Sequence, residues 1–347
     1  MEMVKNSIDN RVIIFVGVVS LGTILYAWLS EKTSKKVKIP TEWKAVGKIA
    51  KMCIYPMKSG RRIELQQAEC SKQGLMEAEK FNKSLRLRDR SFLAFHHTHF
   101  EYRNARHHPK MVLIEVESRD IDCVAFKAPG VPDLVLKIPT RSRNNERIIK
   151  HWRDEEVSTI DCGDNAAKWI SNYVLGNDAG LRLGYHDGTF ERTQINHLYK
   201  DKIDYYKRGL RNESTGLNAD LTAVLILTRP SLSEVNRRIG SEPVSEDSFR
   251  PNLVLDGVSM APFAEDQWEW LRVGNIVMRN VAECMRCSMT TVDMETGVRR
   301  GDGEPLRSMR NYRMSAGPEK APVMGILVEI YRTGLISVDD TVYIGKS

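Results

Sequence analysis

The chain reads as mainly β with a few packed helices, an α+β protein. Short runs of β-branched and aromatic residues recur along most of its length, turn residues separate them as in a barrel or sandwich, and only two segments stand out as helical. With 347 residues, 41% of them hydrophobic and 28% charged, it has material for a well-buried core in one large or two moderate domains. No Gly-rich nucleotide fingerprint follows a strand, which leaves a Rossmann or P-loop reading without support.

The order of elements begins with an apolar run. From Val12 to Leu29 no charged residue interrupts the sequence, a length just sufficient to cross a bilayer core of about 30 Å as a helix. Tyr26 and Trp28 suit an interfacial belt. Lys32, Lys35, Lys36 and Lys38 after the run outweigh Lys5 and Arg11 before it, and this bias puts the C-terminal portion in the cytosol. A cleaved export signal is the rival reading, but no small-residue cleavage site follows. The polar, Lys-rich stretch from Glu31 to Trp43, with Pro40, reads as a spacer. Residues 1–44 are thus expected to be anchor and linker.

Strands are expected at Ile49 to Tyr55, Met111 to Val116, Cys123 to Ala128, Leu134 to Ile138 and Leu181 to Tyr185, with a helix from Asn165 to Leu175. Few strand signals occur from Asp187 to Asn218, so a join falls there, between an N-terminal β module (45–186) and a C-terminal barrel (187–347). Strands then return at Val224 to Thr228, Leu253 to Leu255, Trp270 to Val273, Ile276 to Arg279, Met324 to Tyr331 and Thr341 to Ile344. A helix is expected to start at Ser231, whose spacing to Glu234 suggests a capping box, and to stop at Gly240.

Charge and cysteine usage narrow the function. The net charge of +7 would permit nucleic-acid binding, but the bases are scattered among acids, and an electrostatic footprint needs clustering. An anionic ligand or an acidic protein partner fits better. The six cysteines are mostly far apart, as reduced thiols of a cytosol-facing protein would be. Only Cys284 and Cys287 are neighbours, in Glu283-Cys284-Met285-Arg286-Cys287-Ser288-Met289-Thr290-Thr291-Val292-Asp293. A thiolate is favoured beside positive charge. No second Cys pair or spaced His pair completes a zinc site, and no thioredoxin-like helix follows, so spacing alone leaves structural and functional roles even.

The Arg286-Cys287 pair followed by Thr290-Thr291-Val292-Asp293 resembles the signature of the MOSC-domain mitochondrial amidoxime-reducing component family. Ile54-Tyr55-Pro56-Met57-Lys58-Ser59, Leu87-Arg88-Asp89-Arg90, Asp161-Cys162-Gly163, Phe249-Arg250-Pro251-Asn252 and Ala264-Glu265-Asp266 resemble further segments of that family in the same order. The resemblance covers nearly everything from Val46 to Gly345, and the single N-terminal anchor matches as well. It implies a MOSC-type β-barrel preceded by a β-rich module, with Cys287 as molybdenum ligand beside a pterin. Lys58, Ser59, Arg90, Arg250, Asn252 and Arg286 match positions that hold the pterin and its phosphate, and Asp220 and Thr222 join them through a looser alignment. Asp220 is also the candidate proton donor.

The activity implied is reduction of N-hydroxylated compounds such as amidoximes and hydroxylamines, with electrons from NADH through a flavin reductase and a b-type haem cytochrome. The alternatives are a non-catalytic carrier of the molybdenum cofactor and a sulfurase-type use of the fold, which lacks its pyridoxal-phosphate domain here. The implied location is the outer mitochondrial membrane facing the cytosol, with the endoplasmic reticulum as alternative. Two departures from the family bear on substrate range: Gly60 stands where relatives often carry cysteine, and Pro322-Val323-Met324-Gly325-Ile326-Leu327 lacks the usual aromatic and polar residues. His96, His97, His99, His107 and His108 are expected at a loop or strand edge rather than around a metal.

Overall fold

The computed structural model describes residues 38–79, 84–190, 192, 215–317 and 319–345. The apolar run from Val12 to Leu29 lies outside them, and no described helix is long and apolar enough to cross a membrane. Thr41–Ser347 is one compact unit.

The first half of that unit is a succession of short strands. β1 (Trp43–Ile54) is followed by β2 (Ile63–Glu64), β3 (Gln67–Ser71), β4 (Gly74–Glu77), β5 (Phe92–His96) and β6 (Tyr102–Arg103). A meander of β7 (Glu115–Ser118), β8 (Cys123–Lys127) and β9 (Leu134–Lys137) comes next, then β10 (Glu146–Lys150) and β11 (Glu156–Asp161), helix α1 (Asp164–Leu175) and β12 (Leu181–Tyr185). The strands β10-β11-β12-β5-β6 form one sheet. Helix α1 is locked to the sheet by Ser171, whose hydroxyl donates to the Leu181 carbonyl at 3.0 Å and accepts from the Leu181 amide at 2.9 Å.

The second half closes a barrel. β13 (Val224–Thr228) leads through α2 (Arg229–Ile239) to β14 (Leu253–Asp256), a parallel pair. β15 (Trp270–Val273) and β16 (Ile276–Met285) form a hairpin, a short α3 (Leu306–Met309) follows, and β17 (Val323–Arg332), β18 (Gly334–Ser337) and β19 (Thr341–Gly345) end the chain. The barrel order is β14-β13-β17-β16-β15-β19-β1, and β1 pairs again with β14, so no barrel edge stays open. Ile49, Leu253, Leu255, Ile226, Val328, Met278, Leu271 and Val342 are buried, and they share one apolar core with Phe92, Phe126 and Trp169 of the first half. Such continuity keeps the parts of the unit in fixed register, because close-packed interiors resist displacement.

Three local expectations need correction. The run Met111 to Val116 is not one strand: Pro109 initiates a 3-10 turn over Pro109–Leu113, and the strand begins only at Glu115. The second helix starts at Arg229, and its cap is Thr228, which accepts from the Ser231 amide at 3.4 Å. Glu234 therefore closes no capping box with Ser231; it pairs with Arg237 and Arg238 instead. The strand expected to end at Arg279 runs on to Met285, which delivers the chain to Cys287.

Candidate active site

At one end of the barrel a cavity of about 190 Å³ brings together all nine residues singled out from the sequence: Lys58, Ser59, Arg90, Asp220, Thr222, Arg250, Asn252, Arg286 and Cys287. They come from five separate stretches of chain, and each stretch has its own local reason for pointing there.

Cys287 lies two residues beyond the end of β16 and is solvent-exposed. It caps the 3-10 turn Ser288–Thr291, and its carbonyl accepts from the Thr290 amide (3.1 Å) and the Thr290 hydroxyl (2.9 Å). Asp293 closes the turn behind it by accepting from the amides of Glu295 and Thr296. The threonines and aspartate of the motif thus shape the loop that carries the thiol. Arg286 is a clamp: its guanidinium donates to the carbonyls of Phe249 (2.9 Å) and Met324 (3.0 Å from Nε). Cys284 faces the same cavity, with burial pushing its thiol up and Arg286 opposing that shift.

Arg90 and Arg250 flank the ring of Tyr55, at 5.1 and 4.0 Å from its centre. Both have left-handed backbone conformations, with φ of 52° and 54°. Arg90 donates to Asp89, whose other oxygen accepts from the Tyr55 amide at 2.8 Å. Arg250 donates from Nη1 to the Gly60 carbonyl at 2.7 Å, while its Nη2 is buried with no partner. Burial, with Arg90 nearby, pushes Arg250 down to about 10. Gly60 has its own reason to be glycine, since a Cβ there would press on Met57 and on the Ile114 carbonyl.

Asn252 is a staple. Its amide side chain accepts from the Leu225 amide (3.1 Å) and donates to the Cys53 carbonyl (3.2 Å), tying β1 to β13 beneath the cavity floor. Ser59 accepts from the Ala105 amide at 3.1 Å, and Thr222 donates to the Val224 carbonyl at 3.3 Å.

Lys58 is buried and donates to Asp220 (2.5 Å) and to the Asn218 carbonyl (2.8 Å). Burial alone would push Asp220 up, but Lys58, then His151 and Arg106, outweigh it and hold the carboxyl well below the usual range. Asp220, expected as a proton donor, is therefore a carboxylate at neutral pH, a group that accepts protons and hydrogen bonds. The cavity as a whole is cationic, with Lys58, Arg90, Arg106, Arg250 and Arg286 set against Asp220 and Glu283.

Sequence reasoning missed Asn104, Arg106 and Trp152 on the cavity wall. It also missed Arg192, which bonds both Glu155 oxygens through its Nε and Nη2 edge and donates from Nη1 to the carbonyls of Thr215 (3.2 Å) and Ala219 (2.7 Å), so fixing the segment that carries Asp220. No spacing signal marks these positions, although Arg106 directly precedes His107 and His108. His96 ends β5, His97 and His99 sit on an exposed turn, and His107 and His108 occupy a loop. Among the described residues no cluster of His, Cys, Asp or Glu could hold a metal ion by itself.

A closed β-barrel with a β-rich module before it and a cationic cavity around an exposed thiol defines a MOSC-domain protein, and two family models agree: the MOSC N-terminal beta barrel domain matches residues 46–177 and the MOSC domain residues 214–343. The chain is 31% identical to mitochondrial amidoxime reducing component 2 of Bos taurus, covering 91% of this chain and 88% of that one. It is 30% identical to mitochondrial amidoxime-reducing component 1 of Homo sapiens, over 94% and 90%. It belongs to the mitochondrial amidoxime-reducing component family. A crystal structure of the YuaD protein of Bacillus subtilis aligns over 88% of the chain at 8% identity, with a TM-score of 0.33.

Proposed function

We propose that this cavity holds a molybdenum–molybdopterin cofactor with the Cys287 thiolate on the metal, and that the protein reduces N-hydroxylated compounds, amidoximes and hydroxylamines among them. The observation that carries the reading is the exposed Cys287 thiol on the same cavity wall system as the unpartnered Nη2 of Arg250. A buried donor without a partner is costly, and an anionic oxygen such as a pterin phosphate would satisfy it. The thiolate is a soft ligand suited to such a metal. When bound, the cofactor supplies the two-electron chemistry that removes the oxygen of an N–O bond.

The chain's own residues do the rest. Arg250 and Arg90, braced on Tyr55, would present guanidinium donors to the phosphate, while Arg286, spent on carbonyls, and Asn252, spent on a backbone amide and a carbonyl, hold the walls. Ser59 and Thr222 offer hydroxyl oxygens at the floor. Asp220 accepts from Lys58, so the pair is a place where a proton can be held in the same cavity as the thiol. Buried Leu225 and Phe249 and partly buried Met289 keep bulk water from the inner wall.

The remaining parts of the proposal rest on kinship. Electrons come from NADH through a flavin reductase and a b-type cytochrome, and the apolar run at residues 12–29 anchors the protein in the outer mitochondrial membrane, facing the cytosol. Confinement to one membrane would raise the effective concentration of these partners.

The test is metal and pterin analysis of the protein made in molybdopterin-producing cells, followed by benzamidoxime reduction with a reconstituted electron chain. Wild type is expected to hold about one molybdenum per chain and to turn over, and Cys287→Ser to lose both metal and turnover. Pterin and metal without turnover would instead mark a cofactor carrier, and absence of both would end the proposal.

A further inference from the structure

We propose that Arg106 selects the substrate, binding a carboxylate on N-hydroxylated compounds that enter the cavity beside Cys287. The inference rests on the function proposed above and adds a substrate class to it: N-oxygenated molecules that carry an anionic group.

Four of the five cavity cations bond a carboxylate or a backbone carbonyl of this chain, although Arg250 keeps its Nη2 without a partner. Lys58 holds Asp220, Arg90 holds Asp89, Arg250 holds the Gly60 carbonyl, and Arg286 holds carbonyls of Phe249 and Met324. Arg106 differs. Its side chain makes one hydrogen bond, from Nη2 to the Tyr102 hydroxyl at 2.5 Å, and among the described residues no carboxylate pairs with it. It lines the same cavity as Cys287 and Asp220, both of which raise its pKa, whereas the guanidiniums stacked on Tyr55 are those of Arg90 and Arg250.

The guanidinium is also held ready. The Asn104 side chain accepts from the Arg106 amide at 2.9 Å, Ser59 accepts from the Ala105 amide at 3.1 Å, and Arg299 donates to the Arg106 carbonyl. The backbone is thus pinned on three sides, and because Nη2 spends only one of its two N–H groups on Tyr102, one forked edge of the guanidinium, Nε with Nη2 or Nη1 with Nη2, remains for a ligand. A planar fork with two free donor positions matches a carboxylate bidentately. Trp152, on the same wall, offers an apolar surface for the body of a small aromatic substrate.

The experiment compares benzamidoxime with 4-carboxybenzamidoxime on wild type, Arg106→Gln, Arg106→Lys and the control Arg103→Gln, which removes the same charge outside the cavity. Molybdenum content is measured for each. The ratio of kcat/KM for the carboxylated over the neutral substrate is expected to fall about ten-fold or more in Arg106→Gln, mainly through KM. Arg106→Lys should recover part of it, and Arg103→Gln should leave the ratio where it was. A second readout needs no turnover: benzoate binding, followed by tryptophan fluorescence, should weaken by a similar factor in Arg106→Gln. An unchanged ratio with unchanged benzoate binding overturns the proposal, as does an equal loss for both substrates. If wild type reduces neither amidoxime, the function proposed above fails, and the benzoate titration still decides whether Arg106 binds carboxylates.

Discussion

Replacing Arg192 by Met should destabilise the protein and loosen the cofactor site together. The Arg192 and Glu155 side chains are 2% and 1% exposed, and they meet edge to edge. Removing one member strands a buried charge, which costs about 3–5 kcal/mol. At about 2 °C per kcal/mol for a unit of this size, the melting temperature should fall by about 6–10 °C. Glu155→Leu should do the same. The double variant removes both charges and should lose less than the two singles combined, although the carbonyls of Thr215 and Ala219 still lose their donor. Thermal unfolding followed by circular dichroism measures the cycle, and molybdenum per chain reports on the segment carrying Asp220. A single-variant shift below about 2 °C, or strictly additive losses, would refute the view that these charges sustain each other.

Two further outcomes follow from the same structure. His186 is buried, and burial together with the Arg192 cation pushes it down from 6.5 to about 4. The unfolded chain then takes up a proton that the folded chain refuses, so stability is lost as pH falls from about 6.5 towards 4, by up to about 3 kcal/mol. In His186→Asn the dependence should flatten across that window in urea titrations, and an unchanged slope would disprove the assignment. Gly325 lies within β17 at φ 72°, where a Cβ would run into the Ile226 carbonyl. Gly325→Ala should cost about 1–2 kcal/mol from backbone conformation alone, with the clash adding to it, as denaturant unfolding would show.

Much of this protein can be read without a structure. Short runs rich in β-branched and other apolar residues, set between turn residues, mark β13, β15, β17 and β19 within a residue or two, because such side chains suit a pleated, buried strand locally. The Arg286-Cys287 motif and its companions gather the cavity residues by resemblance, and the structure brings those same side chains around one space. Short strands such as β10 and β11 escape notice because they carry charges and hold their place through pairing.

What tertiary structure alone decided is which groups remain free. Arg90, Arg106, Arg250, Arg286 and Arg192 are one letter in the sequence, yet one braces a ring platform, one keeps open donors, one has a single orphaned nitrogen, and two are consumed as clamps. The barrel closure likewise depends on β1 meeting β14 and β19, some two hundred to three hundred residues away in the chain. Residue type determines what a side chain can donate or accept. Only the neighbours that distant pairing brings within about 3 Å determine what it has left to offer.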